Sequence, residues 1–188
     1  MKLHGILPFA RFLLEAALEK GGIAIDCTIG NGNDTLYLAN LVGSEGHVYG
    51  FDIQGQALIN TKERLQEHGV LERTTLFEAS HDQIDTLIPK ETRINAAIFN
   101  LGYLPGGNKE IVTEPTSTIA ALEQLLARLE PGGIIVLVVY HGHEQGKVER
   151  DAVTEFVTAI DQKSCHVLRY EFVNQTNNPP FILALEKR

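Results

Sequence analysis

Four short stretches of this chain carry residue types that suit chemistry at one site. The first, Ala24-Ile-Asp-Cys-Thr-Ile-Gly-Asn-Gly-Asn-Asp-Thr35, joins an apolar run to a helical pattern through Gly30 and Gly32. Such a turn usually cradles a phosphate, because helix N-terminal N–H groups and the macrodipole favour an anion. Here Asp26 and Asp34 bracket the turn and would repel one. The other stretches are Asp52, the triplet Ser80-His81-Asp82, and the segment Asn100-Leu-Gly-Tyr-Leu-Pro105. Each of the four follows an apolar run.

Three ligands compete for the glycine turn. A triphosphate loop needs Gly-Lys-Ser/Thr at a set distance from its first glycine, and none follows. A dinucleotide turn needs Gly-x-Gly-x-x-Gly, and the third glycine is replaced by Thr35. S-adenosylmethionine has no phosphate; it carries a sulfonium, an ammonium and a carboxylate. Acidic side chains then become partners for the cationic centre, while backbone N–H groups serve the carboxylate. Asp52 at a strand end can accept from both hydroxyls of a ribose. Asp82 can accept from an exocyclic adenine amine. Simpler roles exist: Asp34 in a first helical turn favours the dipole, and Asp82 can cap a helix.

These residues need a scaffold that brings strand ends together. Apolar periodicity predicts a first helix through Phe9, Phe12, Leu13, Ala16 and Ala17, stopped at Gly21-Gly22. Strands are expected at 23–28, 47–52, 74–78, 93–100 and 134–140, with helices at about 34–41, 56–67, 82–87, 116–129 and 148–160. The run Ile134-Ile-Val-Leu-Val-Val-Tyr140 reads as a central parallel strand covered on both faces. Residues 167–173 and 181–186 close the chain as an antiparallel pair around Asn177-Asn-Pro-Pro180. The alternation implies an α/β fold: a Rossmann-like, seven-stranded, mostly parallel sheet with helices on both faces. Its ligand belongs beyond the carboxyl ends of the strands.

The 188 residues suit a single domain, 1–188, and no linker or repeat divides them. No window is apolar and long enough to span a bilayer, and Arg11, Glu15 and Glu19 make the N-terminus an amphipathic helix rather than a signal peptide. Cys27 and Cys165 are too few for a disulfide framework or a zinc site, so a cytoplasmic location is expected, with no metal. A net charge of −8 argues against broad nucleic-acid binding, while leaving room for a local basic patch.

Together, the blocks Gly30-Asn-Gly-Asn-Asp-Thr35, Asp52-Ile-Gln54, Ser80-His-Asp82, Asn100-Leu-Gly-Tyr-Leu-Pro105, His141-Gly-His143 and Asn177-Asn-Pro-Pro180 resemble the bacterial class I methyltransferases that carry an rRNA-methylase label. That group includes enzymes that methylate the aminomethyl group of 5-aminomethyl-(2-thio)uridine at the tRNA wobble position. The resemblance implies S-adenosylmethionine as donor, 5-methylaminomethyl-(2-thio)uridine 34 as product, a tRNA anticodon stem-loop as substrate and a homodimer. The cofactor set it implies is Asp26, Gly30, Asn31, Gly32, Asn33, Asp34, Thr35, Asp52, Gln54, Ser80, His81, Asp82 and Asn100. An rRNA or a small-molecule amine is the alternative substrate.

For catalysis the candidates are Asn100, Tyr103 and His141. The Asn100 side-chain oxygen could accept from an attacking amine, with the Leu101 carbonyl as a second acceptor. Tyr103 could stack on the uracil. His141 and His143 could take a proton near neutral pH or contact phosphate. Backbone contacts to RNA are expected from His4, Arg11, Lys109, Lys147 and Arg150, provided the fold gathers them around the pocket.

Overall fold

The computed structural model describes residues 2–102, 113–142 and 144–188. Its elements run α1 (Ile6–Ala17), β1 (Ile23–Asp26), α2 (Asn33–Val42), β2 (His47–Asp52), α3 (Gly55–Glu67), β3 (Thr74–Glu78), α4 (Ile84–Leu87), β4 (Ile94–Leu101), α5 (Pro115–Arg128), β5 (Leu129–Val139), α6 (Glu144–Thr158), β6 (Cys165–Tyr170) and β7 (Phe181–Lys187). A seven-stranded sheet in the order β3-β2-β1-β4-β5-β7-β6 carries them. Strands β1 to β5 pair in parallel, and β7 runs antiparallel to both β5 and β6. The expected α/β architecture is present, including its C-terminal antiparallel pair.

Two apolar layers flank the sheet. One packs α4, α5 and α6 residues such as Ile84, Leu122 and Val153 against Phe99, Leu137 and Leu183. The other packs Leu14 of α1, Leu38 of α2 and Leu65 of α3 against Val48, Ile98 and Val136. Residues 134–139 of β5 are buried throughout, which explains their unbroken apolar run. The strand order reverses between β1 and β4, so their carboxyl ends splay and open a crevice.

Two differences from the expected elements have local causes. Strand β5 begins at Leu129, five residues ahead of the expected start, with Ile94 opposite Leu129 and then Ala96 opposite Ile134. The Pro131-Gly-Gly segment bulges between those pairs, because proline donates no ladder bond and Gly132 sits at φ +80°. Helix α6 begins at Glu144, a full turn ahead of the expected 148. Gly146 is buried there, a position the weak helical pattern of Glu-Gln-Gly-Lys concealed.

Candidate active site

The glycine turn owes its shape to Gly32, at φ +74° in the N-cap position of α2. A Cβ there would lie 2.7 Å from the Thr61 hydroxyl, so both the backbone angle and α3 demand glycine. Asp26 holds the other end of the turn. Completely buried, its carboxylate accepts the Thr28 N–H at 3.1 Å and the Thr35 hydroxyl at 2.6 Å. Burial, then the neighbouring Asp34, push Asp26 up from 3.8 to about 7, against the lowering effect of the Thr35 and Thr28 hydrogen bonds.

Asp52, at the end of β2, ties the turn to the next strand. One carboxylate oxygen accepts the Gly30 N–H at 2.9 Å and the other the Gln54 N–H at 3.0 Å. A carboxylate oxygen has two lone pairs, so each retains a site for a ligand hydroxyl.

Beyond these strand ends lies a cavity of about 380 Å³. Gly30, Asp52, Gln54, Ser80, Asp82 and Asn100 line it, with Phe51, Ile53 and Ala79 supplying apolar wall. His81 also lines it, only 7% exposed and edge-on to Phe99. Its Nδ1 lies 3.0 Å from the Cys27 carbonyl, which can only accept, so Nδ1 carries the proton and Nε2 is a bare acceptor. Burial lowers the His81 pKa and keeps the ring neutral, and Nε2 has no hydrogen-bond partner. Among the described residues lining the cavity there is no lysine or arginine. An acceptor-rich, partly apolar recess of this kind suits a nucleoside with an exocyclic amine and a cationic centre. It does not suit a pyrophosphate.

Asn100 joins this cavity to the glycine turn. Its backbone N–H donates to the Thr28 hydroxyl at 2.7 Å, and its side-chain Nδ2 donates to Asp34 at 2.8 Å. Arg11 of α1 stands 4.0 Å from the same Asp34 carboxylate and over the Tyr37 ring. Asp34 therefore does more than favour a helix dipole: it connects α1, α2 and β4. Asp82 has a position beside the cavity in a single 3-10 turn (His81–Gln83), where no side chain caps the turn.

Not every expected residue reaches the cavity. Asn31, Gly32, Asn33 and Thr35 shape the turn behind it without lining it, as do Asp26 and Asp34. One lone pair of the Leu101 carbonyl is occupied by the Tyr140 N–H at 3.1 Å. His141 lines a separate hollow, with Nε2 3.0 Å from the Pro179 carbonyl. Tyr103, Lys109 and His143 lie outside the described residues. Arg11 on one side of the sheet and Lys147 and Arg150 on the other all stand near its carboxyl edge, and each already faces an acid: Asp34, Glu144 and Asp151.

Three contributors carry no sequence signal. Thr28 receives the Asn100 N–H, as above. Thr113 lines the cavity, accepts the Gly102 N–H at 3.0 Å and donates to Glu149, whose other oxygen accepts from Thr118 at 2.7 Å. Glu149 is a buried carboxylate within an ordinary-looking amphipathic helix, and only tertiary packing reveals it. Among the described residues no helix is long and apolar enough to cross a membrane, and no group of three or more His, Cys, Asp or Glu could hold a metal ion.

Known proteins resemble this chain in sequence and fold. Residues 48–186 match the family model described as "Putative rRNA methylase". The chain is 36% identical over 186 residues to a chloroplastic tRNA (mnm(5)s(2)U34)-methyltransferase of Arabidopsis thaliana, covering 95% of this chain and 68% of that one. It superposes with a TM-score of 0.97 on a "putative rRNA-methylase" of Clostridium thermocellum, at 39% identity with both chains fully covered. A "putative methyltransferase" of Streptococcus mutans, solved in complex with SAH, superposes with a TM-score of 0.90 at 40% identity, covering 99% of each chain.

Proposed function

Since the chain belongs to the rRNA methylase family and is an S-adenosylmethionine-dependent methyltransferase, we propose that it N-methylates the 5-aminomethyl group of uridine 34 in tRNA. The product is then 5-methylaminomethyl-(2-thio)uridine. The observation that carries this reading is the Asn100–Asp34 hydrogen bond of 2.8 Å at the cavity wall. With its NH₂ committed to Asp34, the Asn100 amide has its oxygen left as an acceptor, the polarity an amine nucleophile requires. The tRNA methyltransferase of Arabidopsis thaliana supports the choice of substrate.

Asp52 would hold the ribose of the cofactor, and His81 Nε2 and Asp82 the adenine amine. Gly30 and its neighbours in the turn would approach the methionine portion, while Asp26 keeps the turn closed through Thr28 and Thr35. When bound, S-adenosylmethionine supplies an electrophilic methyl group on a sulfonium. The protein's own part is positioning and electrostatics. The substrate amine enters as the free base, because an ammonium has no lone pair. Asn100 Oδ1 accepts one amine N–H and so fixes the direction of the lone pair; the second lone pair of the Leu101 carbonyl can take another. The methyl group would exchange its bond to sulfur for one to the amine nitrogen, and the proton released from nitrogen would pass to solvent.

A wobble base is reached by splaying it out of the anticodon loop, the usual mode of single-stranded RNA recognition. Tyr103 belongs to this proposal as the stacking partner. A homodimer does too: Leu3, Leu7 and Phe12 are exposed around α1, beside the exposed Leu168 of edge strand β6. The free, buried Cys27 and Cys165 accord with a reducing cytoplasm. Incubation with S-adenosylmethionine and tRNA bearing 5-aminomethyl-2-thiouridine tests the reading. Nucleoside mass spectrometry should show one added methyl on that nucleoside, and methylation of rRNA alone would refute it.

A further inference from the structure

Beside the cofactor cavity lies a second recess, a polar hollow of about 670 Å³ between α6 and the segment joining β6 to β7. The two recesses are neighbours: Glu149 grips Thr113 on the cavity wall, and the next residue on α6, Arg150, lines the hollow. Two polar atoms at the hollow have no hydrogen-bond partner although both are buried, His141 Nδ1 and Thr154 Oγ1. The His141 side chain belongs to a residue only 9% exposed, packed against the Phe181 ring. Its Nε2 must carry the proton, because its partner, the Pro179 carbonyl, can only accept. Asn177 and Asn178, both at positive φ, turn the chain into Pro179 and set that carbonyl. In the imidazole tautomer set by that contact, Nδ1 is the bare acceptor, and Thr154 offers a hydroxyl.

Charge decides which ligand suits the hollow. Arg150 donates to Asp151 and Arg169 to Glu171, each at 2.7 Å. With both guanidiniums neutralised, a free phosphate finds little net attraction. The unmet demand is for a group that can donate to His141 and accept from Thr154, which describes a hydroxyl. Resting on the reading that the substrate is RNA, we propose that this hollow is a ribonucleotide subsite. It reads the 2′-hydroxyl of a loop nucleotide flanking the methylated base. The 2′-hydroxyl is the group that separates RNA from DNA, so the subsite confers that selectivity.

The test uses an anticodon stem-loop RNA hairpin, its set of single 2′-deoxy replacements across the loop, and the protein saturated with S-adenosylhomocysteine, with binding followed by fluorescence anisotropy. One replacement flanking the target uridine should weaken wild-type binding roughly fivefold, about the worth of one net hydrogen bond. Thr154→Val should weaken the all-ribose hairpin by a similar factor and be insensitive to that same replacement. His141→Ala should behave alike, and S-adenosylhomocysteine affinity measured by calorimetry should be unchanged in both variants. Inorganic phosphate should not compete. If wild type binds the hairpin but no 2′-deoxy position matters, or both variants bind it normally, the subsite is wrong and the RNA reading stands. If wild type binds no hairpin, both fail.

Discussion

The Asp34 carboxylate accepts the Asn100 side-chain N–H at 2.8 Å, so the first turn of α2 dictates which end of the Asn100 amide is left to meet the cavity. Neither residue does this alone. Asp34 is held in place by the glycine turn, and Asn100 by the Thr28 hydroxyl on its backbone N–H.

Asn100→Ala removes the proposed acceptor without touching Asp52 or His81. The expected outcome is a fall in kcat of roughly a hundredfold, the scale of losing one aligned transition-state hydrogen bond. Affinity for S-adenosylmethionine, read by calorimetry, should be retained within about twofold. Asp34→Ala leaves the Asn100 amide free to rotate and should lower kcat by roughly tenfold. Parallel loss of cofactor binding in Asn100→Ala would show that the residue serves the cofactor rather than the amine.

Asp26 sets a pH dependence of stability. Its folded pKa of about 7 stands above the value of 3.8 for the free side chain, chiefly through burial. Between those values the folded chain holds a proton that the unfolded chain lacks. The stabilisation is complete below about 4 and is lost as pH rises through about 7. Asp26→Asn keeps an oxygen for the Thr28 N–H and an NH₂ for the Thr35 hydroxyl, with no charge to bury. Its Tm should exceed that of wild type at pH 8, and its Tm should change less between pH 4 and 7. A variant less stable than wild type at pH 8 would mean that the ionised form is the favoured one.

Much of this was legible in the residues themselves. The run at 134–140 announced a doubly covered central strand, and strand–helix alternation placed Asp52, Ser80–Asp82 and Asn100 at one edge of a sheet. What was not legible depended on contacts between distant elements. Nothing local in Glu149 distinguishes it from a solvated helix residue, and the bond between Asp34 and Asn100 spans 66 positions. His141 follows β5 as expected, yet the Asn177–Pro180 turn draws it to the neighbouring hollow. The bulge at Pro131-Gly-Gly likewise depends on its pairing with β4, which a helix-stop signal does not disclose.

Asp52 supports the turn and offers lone pairs to a ribose. Asp52→Asn presents an NH₂ toward one of its two N–H donors, Gly30 or Gln54, and removes the charge. Cofactor affinity should fall by about 2 kcal/mol, the scale of a hydrogen bond to a charged group. Isothermal titration with S-adenosylhomocysteine measures it, and an unchanged affinity would remove Asp52 from the site.

Gly32→Ala forces a side chain into a left-handed residue, with Thr61 2.7 Å from the new carbon. Denaturant unfolding should show a loss of about 2 kcal/mol, combining backbone strain and overpacking. Adding Thr61→Ala should recover the steric part and leave the backbone part, a coupling that a double-mutant cycle resolves.

A single-turnover measurement decides whether the 5-aminomethyl group of uridine 34 is the methyl acceptor. The purified protein is given S-adenosylmethionine and tRNA whose position 34 carries 5-aminomethyl-2-thiouridine, and the nucleosides are then weighed by mass spectrometry. Conversion to the 5-methylaminomethyl nucleoside is expected, slowed roughly a hundredfold by Asn100→Ala and absent from tRNA with unmodified uridine 34. An unchanged wobble nucleoside, from protein that still binds S-adenosylmethionine, would contradict it.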